Sequence, residues 1–312
     1  MARVLVTGGT GYIGSYVAAD LVEEGHDVVA FDLATDSWRL ETLGIAEDVT
    51  TIRGDVTDPT ALIRAAKETD TTHVVHLAAL LTTGARADPR AAMDVNVGGT
   101  NAVFEAARIL DDVERVAWAS SAAVYAPPAN YEAPVTEDEL VSPDTLYGAT
   151  KEYNEHQARV YAEEFGVSPV GLRPTVAYGP YRETGGSAFL VDLIEKPALG
   201  EPLSIQYGDQ RIDWQYVKDI AQAFRKAAFA PEADLSQRVY NVAGETTTIA
   251  EAAAVVERVV PDTEIEVSNE GELPWTQDLD TTKAREDLGY EPDYDLEAGV
   301  KEYVRCCARN TA

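Results

Sequence analysis

Tyr147 and Lys151, four residues apart, carry the plainest chemistry in this chain. The segment from 144 to about 165 reads as a helix, and residues i and i+4 share a helix face, so the ammonium lies near the phenol. A free phenol titrates near ~10, too high for a base at neutral pH. One positive charge about 5 Å away, at an effective dielectric of roughly 20, is worth about 3 kcal/mol, or about two pK units. Desolvation of the phenolate pushes the other way. Tyr147 is therefore a candidate general acid/base and Lys151 the charge that tunes it. Taken alone, the pair reads more simply as a packed tyrosine and a solvated lysine. Two companions reverse that reading: Ser120-Ser121-Ala122-Ala123-Val124-Tyr125, and the opening run Val4-Leu5-Val6-Thr7-Gly8-Gly9-Thr10-Gly11-Tyr12-Ile13-Gly14.

The opening run is an apolar strand entering a glycine-rich turn that starts a helix. Free backbone N–H groups and the helix N-terminus there face a pyrophosphate. Gly8 takes the tight turn, Gly11 admits the cofactor and Gly14 lets the helix pack on the sheet. A second apolar strand ends in Asp32, near the distance at which an acid holds the adenosine ribose hydroxyls. Aspartate repels a 2′-phosphate, and the nearest arginine is Arg39, so NAD is expected rather than NADP.

These residues need a sheet to hold them. Strands are expected at 3–7, 27–32, 49–53, 73–77, 115–119 and 168–173 with helices between, an α/β doubly wound arrangement. A chain of 312 residues can bury the core this requires. After about 175 the rhythm loosens at Pro180, Gly185, Gly186, Pro197, Gly200 and Pro202, where a smaller lobe is expected.

The combination resembles the extended short-chain dehydrogenase/reductases, in particular the NAD-dependent epimerase/dehydratase family. The likeness runs on through Gly54-Asp55-Val56-Thr57-Asp58, His76-Leu77-Ala78-Ala79, Asn96-Val97-Gly98-Gly99-Thr100, Arg173-Pro174 and Asp213-Trp214-Gln215-Tyr216-Val217-Lys218-Asp219. It implies a Rossmann-type domain over 1–175 and a mainly substrate-binding lobe over 176–312, with the chain crossing between them. Ser121 then matches the residue that orients the reacting hydroxyl, Tyr147 the base, and Lys151 the residue that binds the nicotinamide ribose and tunes the tyrosine. The implied cofactor set is Gly8, Gly11, Tyr12, Ile13, Gly14, Asp32, Asp55, Val56, Leu77, Ala78, Ala79, Tyr147, Lys151, Pro174 and Val176. Thr82, Thr83, Tyr125, Tyr178, Arg182 and Arg211 are substrate candidates beside Ser121, while Asn96, Asp213 and Trp214 read as structural and Arg86 and Arg90 as surface residues.

Departures from the family pattern narrow the reaction. Dehydratases of the family place Asp-Glu directly after the serine or threonine; Ala122 and Ala123 stand there and cannot move protons. Enzymes acting on nucleoside diphosphate sugars neutralise a diphosphate with arginine forks and an asparagine. Ile212 occupies one arginine position, with Arg211 one residue off, and Val176 the asparagine position. No arginine appears around Ser268-Asn269-Glu270-Gly271-Glu272. The expected reaction is reversible hydride transfer at a secondary alcohol, leaning to a dehydrogenase or reductase of a sugar or sugar acid without a nucleoside diphosphate. Alternatives are a nucleotide-sugar 4-epimerase, rescued by Arg182 or Arg211, and a non-catalytic NAD-sensing protein.

Net charge is −29, and lysine (7) is scarcer than arginine (18). Such a surface suits high ionic strength, where self-repulsion is screened, so a salt-adapted source is expected. It argues against nucleic acid as a partner. Cys306 and Cys307 are adjacent and poorly placed for a disulfide. With His26, His73, His76 and His156 they make no metal pattern, and no metal is expected. No apolar run is long enough to span a bilayer, and the first strand starts at once, leaving no room for a signal peptide; a soluble, cytoplasmic protein is expected. The helices expected at about 88–110 and 144–165 match those that pair relatives into dimers, with Ala102, Ala106 and Ala107 small enough for close packing, so a homodimer is the family-based expectation.

Overall fold

The computed structural model describes residues 1–125, 127–276 and 278–310. Among the described residues twelve strands appear in chain order: β1 (Arg3–Thr7), β2 (Asp27–Asp32), β3 (Val49–Arg53), β4 (His73–His76), β5 (Arg115–Ala119), β6 (Pro169–Pro174), β7 (Val176–Tyr178), β8 (Leu203–Ile205), β9 (Arg211–Tyr216), β10 (Val239–Val242), β11 (Glu245–Thr248) and β12 (Ile265–Val267). The first six fall where the apolar runs predict them, with β4 one residue shorter and β6 one residue later.

Seven strands form the main sheet, in the order β10-β6-β5-β4-β1-β2-β3, all parallel. Helices cover both faces, which is why Val4, Leu5, Val6, Val74, Val75, Val116 and Ala117 are all buried. On one face the helix Tyr12–Glu23 packs Val17, Ala18 and Leu21 against the apolar side of the helix Val217–Phe229. β1 lies between β2 and β4, so strand order reverses there and a crevice opens at the carboxyl ends of the strands.

The second lobe carries a three-stranded sheet, β11-β9-β7, and the pair β12-β8. Its core gathers Tyr178, Trp214, Tyr216, Leu190, Ile212 and Val256. The chain does not stay in one lobe: β10 and the helix Val217–Phe229 return to the main sheet from beyond residue 215. No helix among the described residues is long and apolar enough to cross a membrane.

One expected helix is interrupted. Residues 88–110 form a short helix Pro89–Ala92, a π-helical stretch Met93–Gly99, and a second helix Thr100–Ile109. The Asn96 carbonyl accepts from Thr100 Oγ1 at 2.6 Å and from Asn154 Nδ2 at 2.8 Å. Side chains thus compete for an oxygen that regular α-helix would pair with backbone N–H, and the turn widens around it.

Candidate active site

Ser121 leaves the end of β5, where its Oγ accepts from Ala123 N at 3.1 Å and caps a short 3-10 turn. The helix Leu146–Phe165 starts against this turn, capped by Thr145, whose Oγ1 accepts from Gly148 N at 3.0 Å. A Cβ at Gly148 would lie 2.2 Å from the Ala123 carbonyl, so glycine here is what lets the helix press Tyr147 onto Ser121. Both side chains line the same cavity.

Lys151 is buried one turn on, with its Nζ 5.6 Å from the Tyr147 ring centre and donating to the Ala119 carbonyl at 2.6 Å. Burial pushes its pKa down to about 8, opposed by Glu155. Tyr147 departs from expectation: burial pushes its phenol up to about 12, and the opposing influence is the Ser121 hydroxyl. No lowering by Lys151 accompanies this: with its own pKa pushed to about 8, the lysine is neutral where the buried phenol ionises.

Behind these groups lies a buried ion pair that the sequence does not announce. Glu155 accepts from Arg173 Nε at 2.8 Å and Nη2 at 2.7 Å, and from Ser120 Oγ at 2.5 Å. Arg173 Nη1 continues to Tyr125 Oη at 2.6 Å, and Tyr125 donates to Asn241 Oδ1 at 2.9 Å. The paired side chains are 6% and 11% exposed, so removing one partner strands the other charge in the interior. Glu155→Leu is expected to lower unfolding free energy by about 3–5 kcal/mol in denaturant melts, and Glu155→Leu/Arg173→Met to recover most of it.

Most cofactor candidates sit at or just beyond the carboxyl ends of β1, β2, β3 and β4. A Cβ at Gly14 would sit 2.0 Å from the Gly8 carbonyl, so Gly14 lets the helix close on the turn itself rather than, as expected, on the sheet. Gly11 caps the helix Tyr12–Glu23 without a side-chain hydrogen bond, which suits the first turn to an anion. Asp32 accepts from Thr10 N at 3.2 Å and Ala34 N at 3.3 Å. Arg39 is held by the Tyr181 carbonyl and Glu183 and is not free for a 2′-phosphate. These residues fit NAD. Leu77, Ala78 and Ala79 follow β4, partly buried; Asp55 accepts from Thr57 N at 2.8 Å, and Val56 is buried beside Gly99. Tyr12 and Ile13 are half-buried, with the Tyr12 hydroxyl enclosed near Gly179.

A cavity of about 260 Å³ opens beside Ser121 and Tyr147. Thr82, Tyr125, Pro174, Val176 and Arg182 line it, together with Leu81, Arg86, Asp144, Thr145, Thr175, Ser187, Trp275 and Thr276. Three substrate candidates do not reach it. Tyr178 is 1% exposed and packs on Trp214 and Tyr216 in the second core, where burial rewards its ring more than exposure to substrate. Thr83 is exposed on the helix Thr82–Ala87 and is not part of the cavity wall. Arg211 lies beyond Trp275 in a neighbouring cavity of about 350 Å³, with Asp278 at 3.7 Å and Asp209 on the same wall. Arg86, expected at the surface, is exposed and reaches the cavity rim. Trp275, Thr276, Ser187 and Thr175 line the cavity without being among the candidates the sequence offers.

Other polar residues are structural. His76 Nδ1 meets Thr7 Oγ1 at 2.7 Å and Nε2 meets Thr100 Oγ1 at 3.0 Å; burial pushes its pKa down to about 3. Asn96 ties Leu80 to Thr150 through its amide. Asp213 accepts from Thr246 Oγ1 at 2.5 Å and Asp278 N at 2.9 Å. Among the described residues no cluster of three or more His, Cys, Asp or Glu is arranged to hold a metal ion.

Comparison with known proteins places this geometry. The model of the NAD dependent epimerase/dehydratase family matches residues 4–243. A putative UDP-glucose 4-epimerase of Methanocaldococcus jannaschii is 30% identical over 315 residues, covering 98% of this chain and 99% of its own. A partial-consensus L-threonine 3-dehydrogenase superposes with a TM-score of 0.87 at 26% identity, over 97% of this chain and 98% of that one. The UDP-glucose 4-epimerase of Thermotoga maritima, solved with UDP-glucose, superposes with a TM-score of 0.86 at 25% identity, over 99% and 100%.

Proposed function

The chain belongs to the NAD-dependent epimerase/dehydratase family, and we propose that within it this protein is a net dehydrogenase of a small alcohol bearing a carboxylate, a sugar acid or a hydroxy amino acid. The observation that carries the reading is Arg182. Its guanidinium is largely buried at the cavity wall and donates to the carbonyls of Ala177 and Thr184 and to Ser187 Oγ, none of them a carboxylate. Burial pushes its pKa down, which means the charge is costly where it stands. A chain of net charge −29 offers many acids, yet this wall carries Arg86 and Arg182 against Asp144 alone, a balance of +1. A substrate carboxylate would complete the fork.

Size and charge weigh against a nucleoside diphosphate. The cavity beside Tyr147 is at the small end for ligand sites. The next one, beyond Trp275, sets Arg211 against two aspartates and would repel a diphosphate. The threonine dehydrogenase likeness supports the same reading.

NAD, when bound, supplies the hydride acceptor. The remaining work falls to side chains: Arg182 anchors the carboxylate, Ser121 holds the substrate hydroxyl, and Tyr147 takes its proton as the C–H bond is lost as hydride. The products are a ketone, NADH and one proton. Lys151 would bind the nicotinamide ribose and, when charged, favour the phenolate. Salt adaptation belongs to the proposal, so assays start in molar KCl.

The second reading is a nucleotide-sugar 4-epimerase, favoured by the archaeal and Thermotoga relatives. NADH absorbance, followed with NAD and a panel of sugar acids, L-threonine, free sugars and UDP-sugars, separates the two. NADH accumulation with a carboxylate substrate, lost at low salt, is the expected result. Conversion of a UDP-sugar to its epimer without net NADH would overturn it, and NAD binding without any turnover would favour a sensor.

A further inference from the structure

Arg182 braces its own loop through Ala177, Thr184 and Ser187, and a second brace comes from outside that loop. Its neighbour Tyr181 has φ of +70°, the left-handed region that residues other than glycine rarely enter. Two residues from the cofactor half clamp it there. The Trp38 ring meets the Tyr181 ring edge-on, with centres 5.8 Å apart at 88°. Arg39 donates from Nε and Nη2 to the Tyr181 carbonyl, at 3.3 and 3.2 Å, and pairs with Glu183 at 2.6 Å. Its guanidinium stacks 4.2 Å over the Trp38 ring and is 13% exposed at the side chain. Arg39 thus grips the residues on either side of Arg182.

The other end of this clamp is the cofactor crevice. Trp38 opens the helix Trp38–Thr42, joined to Asp32 by five residues. Asp32 is tied to the glycine turn through Thr10 N and to its own loop through Ala34 N, and Thr10 Oγ1 donates to the Ala34 carbonyl at 3.2 Å. One short stretch, 32–39, therefore runs from the acid that would hold the adenosine ribose to the loop that carries the substrate arginine.

We propose that Arg39 is a positioning residue that transmits cofactor occupancy at Asp32 to Arg182, so that NAD orders the substrate-anchoring loop before substrate arrives. Filling the crevice beside Asp32 restrains residues 33–38, and Arg39 passes that restraint to Tyr181 and Glu183. Coupling of this kind is reciprocal: an anchored substrate tightens NAD equally. Its meaning for catalysis rests on the reading of Arg182 as the carboxylate ligand, but its test does not.

The experiment is hydrogen–deuterium exchange of the full chain with and without NAD and with no substrate present, reading peptides that span residues 181–190. In the wild type NAD is expected to slow exchange there by about fivefold or more, the low end of measured site-to-site couplings. Arg39→Ala, shown by calorimetry to bind NAD, is expected to reduce the effect below about twofold. Arg39→Lys should fall between, because an ammonium cannot replace the fork. Glu183→Gln cuts the ion pair while leaving Arg39 intact, so a weakened effect there supports the proposal even if Arg39→Ala folds poorly. Equal protection in wild type and Arg39→Ala would overturn it, as would no protection in the wild type. If Arg182→Gln leaves KM unchanged while the NAD effect persists, the carboxylate reading fails and the clamp stands.

Discussion

Tyr147→Phe is expected to lower kcat by about 10³-fold, within the range that a positioned acid/base supplies. The substitution removes one oxygen and leaves the ring, the glycine turn and Lys151 in place, so NAD should still bind and the melting temperature should hardly change. The pH profile separates a proton-transfer role from a steric one. Burial holds the Tyr147 phenol at about 12 in the free protein, so at neutral pH the basic form is rare. Its population rises tenfold per pH unit below the pKa, and alcohol oxidation by the wild type should climb toward alkaline pH. The positive charge of oxidised NAD moves the limb downward. Residual activity of Tyr147→Phe should lack this limb; a variant that keeps both the rate and the slope would remove Tyr147 from the mechanism.

Arg182→Gln is expected to raise KM for the carboxylate substrate by about 10²-fold with much less change in kcat. A charge-assisted bond to a buried group is worth roughly 1.5–3 kcal/mol, and the substrate would be left with an unpaired carboxylate as well. An anchor that holds substrate and transition state alike moves KM alone. Steady-state kinetics on the identified substrate, with its amide or alcohol analogue alongside, read the effect: the analogue should lose little. Equal losses for both would mean that Arg182 only supports the loop through Ala177, Thr184 and Ser187.

The parts of this structure governed by local pattern could be read from the chain. Apolar runs of five or six residues located β1 to β6, and Gly8 to Gly14 with Asp32 outlined the crevice, because strand, turn and helix start are each set by neighbouring residues. Tyr147 and Lys151 were brought to one face by helix geometry. What escaped depends on residues far apart in sequence. Glu155 sits one turn beyond Lys151, but its partner Arg173 is 18 residues away, and nothing local marks the pair as buried. Trp275 and Ser187 reach the cavity from loops whose path only the second lobe decides. Tyr178 stands just before the Gly179-Pro180 turn and belongs to an aromatic core. The π-helical stretch around Asn96 arises from Thr100 and Asn154 together, and a periodic pattern cannot reveal it. For Tyr147 the sequence shows both influences, the nearby lysine and the loss of water, but not their balance, which burial decides in the free protein.

The return of the chain to complete the main sheet has a consequence for biosynthesis. β6 ends at Pro174, but its outer neighbour β10 ends at Val242, 68 residues later. At about 5–20 residues per second a ribosome needs roughly 3–14 s to make that stretch. For this interval the nascent cofactor half exposes the unpaired edge of β6 and lacks the helix Val217–Phe229 that covers Val17 and Leu21. Such an edge invites pairing with other chains. Exposure of this edge therefore falls during synthesis, after Tyr147 and Lys151 have already been made.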